Sequence, residues 1–225
     1  MDYYINLSGK LLPYLRVTIL IASASMFCGL LAGGILAAMK LSGSYLLRKI
    51  AELYTTVIRC TPVVILLFLT YYGLPALVHF ITGIDISRGS KVTFAIVALT
   101  FYSSAILSEI IRPAYLAVSK GQFEAADMIG LSTFQTVRMI ILPQAFFIAL
   151  PNMGNMILSL LQQSALAFLI GVVDVMGQAK VINSIDYGTH IVQIYLTVSF
   201  MYWILSVIIG RGIDAVDSRL TKMLK

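Results

Sequence analysis

The sequence predicts an all-α membrane protein: five transmembrane helices, a cytosolic helical segment between the third and fourth, and a single domain over residues 1–225. Three observations carry that prediction. Apolar residues make up 59% of the 225-residue chain and charged residues 12%, with a mean hydropathy of +0.92. A soluble domain runs roughly 45–50% apolar and about 25% charged, and disordered or coiled-coil chains have the opposite balance. The charges leave long gaps rather than being scattered. Inside the gaps the apolar residues run on without alternation, as in ILLFLT and MYWILSVII, which selects helices over an outer-membrane barrel.

An ionised side chain at the centre of a membrane helix costs about 2.5–3.5 kcal/mol, and roughly 20 apolar residues cross the hydrocarbon core. Charge-free windows run 23 residues from Val17 to Met39, 25 from Cys60 to Ile84, 17 from Val92 to Ser108, 35 from Met139 to Val173 and 24 from Tyr187 to Gly210. The spans expected from them cover 15–40, 55–82, 92–115, 148–173 and 188–211. Glu109 and Arg112, one turn apart, can pair and carry the third span on to Tyr115. The fourth window is too long for one straight span; Pro143 and Pro151 divide it, which assigns Met139–Leu142 to a preceding cytosolic segment. Gly29 and Gly33, four residues apart, predict close helix packing in the first span. Pro62, Gly73 and Pro75 give the second span places to bend. Cys28 and Cys60, too few for a disulfide framework, read as small packing residues.

Five spans put the termini on opposite sides. With Arg59 set aside in a span end, ten cations (Lys40, Arg48, Lys49, Arg112, Lys120, Arg138, Arg211, Arg219, Lys222, Lys225) share one side and five (Lys10, Arg16, Arg88, Lys91, Lys180) the other. The positive-inside rule makes the ten cytoplasmic, with the N-terminus outside. The net charge of +6 then follows from topology in a lipid bilayer and implies no nucleic-acid partner. The first apolar stretch lacks an A-x-A-like cleavage site and is long enough to stay as a span.

Residues 119–143 are not a plain loop. Ser119 with Gln122 fits a capping box, Phe123–Ile129 supply two helical turns, and Gly130 offers a left-handed cap. Ser132 with Gln135 repeats the signal, and a helix from Thr133 should end at Leu142 because Pro143 disfavours helical geometry in the residue before it. GLSTFQTVR has the look of a DNA-reading helix-turn-helix, but the unit joins spans at both ends and holds only Lys120 and Arg138 as cations, so it cannot deliver a free recognition helix. An interfacial helix pair resting on the membrane is the plain alternative.

EAADMIGLSTFQTVRMIILP, Glu124 to Pro143, matches the EAA signature of importer permeases of the ABC transporter superfamily: EAA, three residues, Gly, nine residues, Ile, one residue, LP. RCTPVV at Arg59–Val64 is similar to an RGTPL element, SEIIR at Ser108–Arg112 to AEIIR, and GQFEAA to GQ-EAA. Over essentially the whole chain the sequence resembles the polar amino acid permeases, whose members serve glutamine, histidine, arginine, glutamate or cystine uptake. The resemblance implies a bacterial inner-membrane, multi-pass permease with no cofactor of its own. Its partners would be a cytosolic ATPase dimer carrying ATP and Mg, a second permease chain (a homodimer or a sister permease) and an extracytoplasmic amino-acid-binding protein. It also implies that the EAA segment is a coupling helix docked in a groove of the ATPase, with Glu124, Ala125, Ala126, Gly130, Leu142 and Pro143 as its residues. Small Ala125 and Ala126 permit close approach, Gly130 sets the turn, and Glu124 suits the helix dipole. Two departures stand out: Cys60 replaces a glycine, and QQSALA, Gln162 to Ala167, falls where many members carry a charged pair.

No G-x-x-x-x-G-K-[ST] occurs, so energy must come from a partner, and no catalytic constellation or metal site is expected, since His79 and His190 stand alone. Polar residues inside spans are candidates for the pathway: Gln162, Gln163 and Ser164 foremost, then Tyr71, Tyr72, Ser103 and Ser104. Neutral amides suit glutamine or cystine better than arginine; the same residues, with Asn152 and Asn155, can equally bind neighbouring helices. The alternative function is an ion-gradient-driven secondary transporter or channel, which calls for an acid or paired-ion site near the midplane. A membrane scaffold is a third reading.

Overall fold

The structure, a computed structural model, describes residues 2–223. Five helical stretches among them are long and apolar enough to cross a membrane: Tyr3–Leu41, Val63–Thr82, Lys91–Leu116, Thr133–Ile170 and Ile191–Ser218. In chain order the helices are α1 (Asp2–Leu11), α2 (Leu15–Leu41), α3 (Tyr45–Cys60), α4 (Val63–Phe68), α5 (Leu74–Thr82), α6 (Lys91–Leu116), α7 (Lys120–Met128), α8 (Thr133–Thr136), α9 (Leu142–Ser164), α10 (Val175–Ile185) and α11 (Ile191–Met223).

The starts of three spans differ from expectation for reasons that lie in proline chemistry, and the fifth span runs on to Ser218 instead of ending at 211. The second span begins at Val63 and not near 55, because Thr61, forced extended by the ring of Pro62 (φ −93°, ψ 124°), ends α3. The first span is preceded by α1, joined to α2 through a 3₁₀ turn at Leu12–Tyr14 that takes Pro13 at its start. The fourth begins at Thr133, far earlier than 148, because Pro143 does not stop the helix. Here a π turn, Val137–Ile141, precedes the Leu-Pro pair, with the Leu142 N–H donating to Val137 O. The second span repeats the device: a π turn at Leu69–Gly73 precedes Leu74-Pro75, and the Leu74 N–H donates to Leu69 O. A proline ring clashes with the carbonyl four residues back, and in both places that carbonyl, of Met139 or Tyr71, lies within the widened turn. Pro151 likewise stays inside α9.

α2 and α6 form the central pair, α9 packs on both, and α11 packs on α9. A Cβ on Gly29 would collide with the Ser103 hydroxyl, and one on Gly33 would sit 2.9 Å from Ser104 O and from Leu107 Cβ, so the expected close packing is present and its partner is α6. The Ser103 hydroxyl donates to Ser25 O at 3.0 Å across the seam. At the end of the seam Lys40 is buried, and its three N–H donors are all used: on Glu109 Oε1 at 2.6 Å, Thr55 Oγ1 at 3.0 Å and Ser108 Oγ at 3.0 Å. Glu109 therefore makes its ion pair with Lys40 across helices rather than with Arg112 along its own. The main core runs through this seam, from Ile21, Leu67 and Leu99 to Met153 and Leu160. A second cluster (Leu7, Leu11, Val175, Ala179, Ile182, Ile194, Val198) joins α1, α10 and α11 at one end, and a third (Val118, Ile141, Ala145) underlies the 119–143 segment at the other. Cys28 and Cys60 are exposed, not packed inside as their size suggests; each sits on an outward helix face.

Gly29→Val should separate α2 from α6 and lower the stability of the detergent-solubilised protein by about 1–3 kcal/mol. Gly34→Val, on the same helix with open space around the position, should leave the thermal midpoint within a degree or two of the parent by roughly that reasoning.

Candidate functional site

The connection after α6 is built as a short stiff unit. Ser119 occupies the N-cap position of α7 with extended backbone (φ −61°, ψ 140°), but its side chain makes no cap bond, so the capping box expected with Gln122 does not form; the Gln122 N–H donates to Ser119 O instead. Gly130 is left-handed at φ +76°. Leu131 N–H donates to Ala126 O at 3.1 Å and Gly130 N–H to Asp127 O at 2.9 Å, the two bonds of a Schellman motif. The box at Ser132 is complete: Gln135 N–H donates to Ser132 Oγ at 3.3 Å and Ser132 N–H to Gln135 Oε1 at 2.9 Å. Two helix ends thus meet at one rigid corner.

That corner presents side chains outward. Glu124, Ala125 and Asp127 are exposed, Ala126 turns inward and is buried, and Met128, Ile129 and Phe134 are among the most exposed apolar side chains. Phe123, Glu124, Asp127, Leu131, Thr133 and Thr136 line a cleft of about 320 Å³, with two carboxylates at its rim. Phe123 holds the unit to the end of α6 by an edge-on contact with Tyr115, ring centroids 6.1 Å apart. Leu142 and Pro143 lie beyond the corner, in the first turn of α9. An apolar knob ringed by carboxylates suits a protein surface that offers a pocket and a cation.

The second candidate surface is on α9. Asn152, Asn155 and Gln162 are exposed, Ser159 is half-buried, and their spacing of three, four and three residues makes one helical stripe. Gln163 flanks it, half-buried. None of these amides is hydrogen-bonded through its side chain to another described residue, so within this chain they do not bind neighbouring helices. An amide cannot face lipid without loss, so the stripe requires water, solute or a second protein against it.

The remaining expected pathway residues divide. Tyr72 is exposed, and Tyr71 is half-buried against Phe94 with ring centroids 5.6 Å apart. Ser103 and Ser104 are buried in helix contacts, Ser104 sharing a 2.8 Å bond with Tyr54 OH, and they tie α6 to its neighbours. Ser164 is fully buried too, its hydroxyl donating to Leu161 O at 2.7 Å. The reason is periodicity: Ser164 lies about 200° around the helix from Gln162, on the inward face.

Asp174 bounds the fourth charge-free window and is not among the site residues expected from sequence. It is fully buried, caps α10 by accepting from Gly177 N–H at 2.9 Å, and accepts at 3.3 Å from both Thr18 Oγ1 on α2 and Tyr202 OH on α11. One carboxylate therefore ties three helices at the end opposite the 119–143 corner. Burial pushes its carboxyl above the ordinary carboxylate range, against the lowering effect of those hydrogen bonds. The signal available in sequence was the N-cap pattern, Asp174 just before the Val175 helix. No cluster of three or more His, Cys, Asp or Glu suited to a metal occurs among the described residues.

Residues 29–222 match the family described as "Binding-protein-dependent transport system inner membrane component". The chain is similar to the L-cystine transport system permease protein of Bacillus subtilis (strain 168), 36% identical over 221 residues that cover 96% of this chain and 91% of that one. It is also similar to a probable glutamine ABC transporter permease protein of the same organism, 33% identical over 205 residues, 90% of each chain. Among solved structures, a chain of an amino acid ABC transporter crystallised with histidines superposes with a TM-score of 0.82 at 29% identity, over 96% of both chains.

Substitutions at Asp174 separate charge from capping. Asp174→Ala should lose about 0.5–2 kcal/mol for the cap alone, and more for the donors left unpaired. Asp174→Asn retains the cap and should lose less. A carboxyl raised in the folded state favours its neutral form there, so stability falls as pH rises through the ordinary carboxylate range toward the shifted value. Thermal midpoints of the parent should accordingly decline relative to Asp174→Asn between acid and neutral pH.

Proposed function

Because the chain belongs to the binding-protein-dependent transport system inner membrane components, we propose that it is the permease subunit of an ATP-driven importer of polar amino acids, with cystine or glutamine as its cargo. The likeness to amino-acid permeases over nine-tenths or more of the chain carries the importer reading, and the uncharged Gln162–Gln163 stretch favours cystine or glutamine over arginine. The chain is a multi-pass membrane protein of pathway type. Its N-terminus lies outside and its C-terminus in the cytoplasm, which sets ten cations inside against five outside.

Hydrolysis of ATP, with its Mg, takes place in a cytosolic partner dimer. The Glu124–Gly130 corner is the coupling surface: Met128 and Ile129 enter an apolar hollow of the ATPase while Glu124 and Asp127 meet its cations. Closure of the ATPase pair is a rigid-body motion, and a corner locked by a Schellman motif and a capping box transmits it without yielding. The corner continues without interruption into the Thr133–Ile170 helix, so the same push reaches Gln162. The amide stripe faces a second permease chain across the pathway. Asn152, Asn155 and Gln162 there bind the ammonium and carboxylate of a zwitterion and supply no net charge, in place of the charged pair of many relatives, which fits an uncharged side chain on the cargo.

In reconstituted transporter, Gly130→Asp, which forces a side chain into φ +76°, and Glu124→Lys should each cut ATP-driven uptake at least about tenfold while membrane abundance holds. Normal uptake in both would defeat the coupling role. For cargo, thermal stabilisation of the purified binding protein should follow glutamine or cystine by several degrees and arginine by little, in keeping with ligand linkage; a preference for arginine would overturn the neutral-cargo assignment.

A further inference from the structure

At the end of the molecule opposite the 119–143 corner, the turn between α10 and α11 holds an anomaly. Tyr187 has φ +50° and is 96% exposed, whereas the other described residues with positive φ are the glycines 83, 130, 171 and 188. A left-handed backbone is strained for an aromatic residue, and glycine would take the same position freely. Within the chain nothing offsets that strain: the Tyr187 ring and hydroxyl make no hydrogen bond or ring contact with another described residue. The backbone beneath is nevertheless fixed. Gly188 N–H donates to Asn183 O at 3.0 Å, and Thr189 donates to Asp186 O through both its N–H, at 3.0 Å, and its hydroxyl, at 2.7 Å. Asp186 in turn accepts from Tyr3 OH at 3.3 Å, and the Tyr3 ring stacks on His190 with centroids 4.6 Å apart. Beside the tyrosine, Ile185 is 68% exposed.

A strained aromatic held out on a rigid pedestal is what an interface anchor requires. Tyrosine brings a large contact area with two side-chain torsions to freeze, and a preformed backbone leaves little further ordering to be done on binding. We propose that Tyr187, backed by Ile185, is the anchor on which the extracytoplasmic binding protein docks; the assignment rests on the importer reading above. The occupant follows from placement and from the family. Five spans set the 171–190 connection on the side away from the 117–132 connection, where the ATPase cannot reach. Transport in this family depends, by its description, on a binding protein. The second permease chain has the α9 stripe to meet. A ring resting in lipid headgroups would need no left-handed backbone to hold it.

The test uses the complete transporter in proteoliposomes, with uptake of radiolabelled L-cystine and L-glutamine measured against the concentration of the binding protein. Tyr187→Gly relieves the backbone and should leave the thermal midpoint equal or raised. It should raise the binding-protein concentration for half-maximal uptake by about tenfold or more, with the saturated rate within about twofold of the parent. Tyr187→Phe, which keeps the ring, should stay within about threefold of the parent in the same measure. An unchanged half-saturation in Tyr187→Gly would overturn the proposal. So would a fall in saturated rate at constant half-saturation, or separation of the permease pair, either of which places the ring in the pathway or between the two chains. If the unmodified transporter shows no ATP-driven uptake at all, the importer reading fails first and takes the anchor with it.

Discussion

The contact between α2 and α6 sets the geometry of everything else. In lipid, helices gain nothing from hiding apolar surface from one another, so they associate only where close packing and interhelical hydrogen bonds make contact better than lipid does. Gly29 and Gly33 remove side chains where Ser103, Ser104 and Leu107 come through. The resulting approach lets the Ser103 hydroxyl reach Ser25 O. Lys40 closes the end of the seam by spending every N–H it has on α3 and α6. A buried ammonium with a missing partner would be strongly destabilising, so Lys40, Thr55, Ser108 and Glu109 hold their register together.

On that base, the Thr133–Ile170 span, of which α9 is the main part, joins the two ends. It begins at the Ser132 capping box, passes the π turn and Pro143, and carries the Asn152, Asn155 and Gln162 stripe to the far side. The packed face of α9 combines small residues (Ala145, Ala149, Gly154) with large ones (Met153, Met156, Leu160, Leu161), and a Cβ on Gly154 would collide with Ile213 of α11. The two π turns, each one residue before a Leu-Pro pair, leave the spans continuous where a proline in a regular helix would break or kink them. At the other end Asp174 locks α2, α10 and α11 together.

The sequence by itself determined the fold class, the five spans and the corner after α6. Those properties are local: hydropathy needs only a window, and a Schellman glycine such as Gly130 or a capping pair such as Ser132 and Gln135 is complete within six residues. The EAA pattern was legible for the same reason. Sequence also paired Gly29 with Gly33 correctly as a packing motif, though it could not say that α6 was the partner.

Tertiary structure decided which polar residue faces what. Ser103, Ser104 and Ser164 look like pathway residues in a linear reading and prove to be buried helix contacts, whereas Asn152 and Asn155 turn out to continue the exposed stripe of Gln162. Glu109 chose Lys40, 69 residues away, over Arg112 one turn along. Asp174 became a three-helix tie only when Thr18 and Tyr202, from opposite ends of the chain, arrived beside it. A charge or an amide states in sequence that it needs a partner; lipid makes the need strict, but only the packing of distant helices supplies the partner.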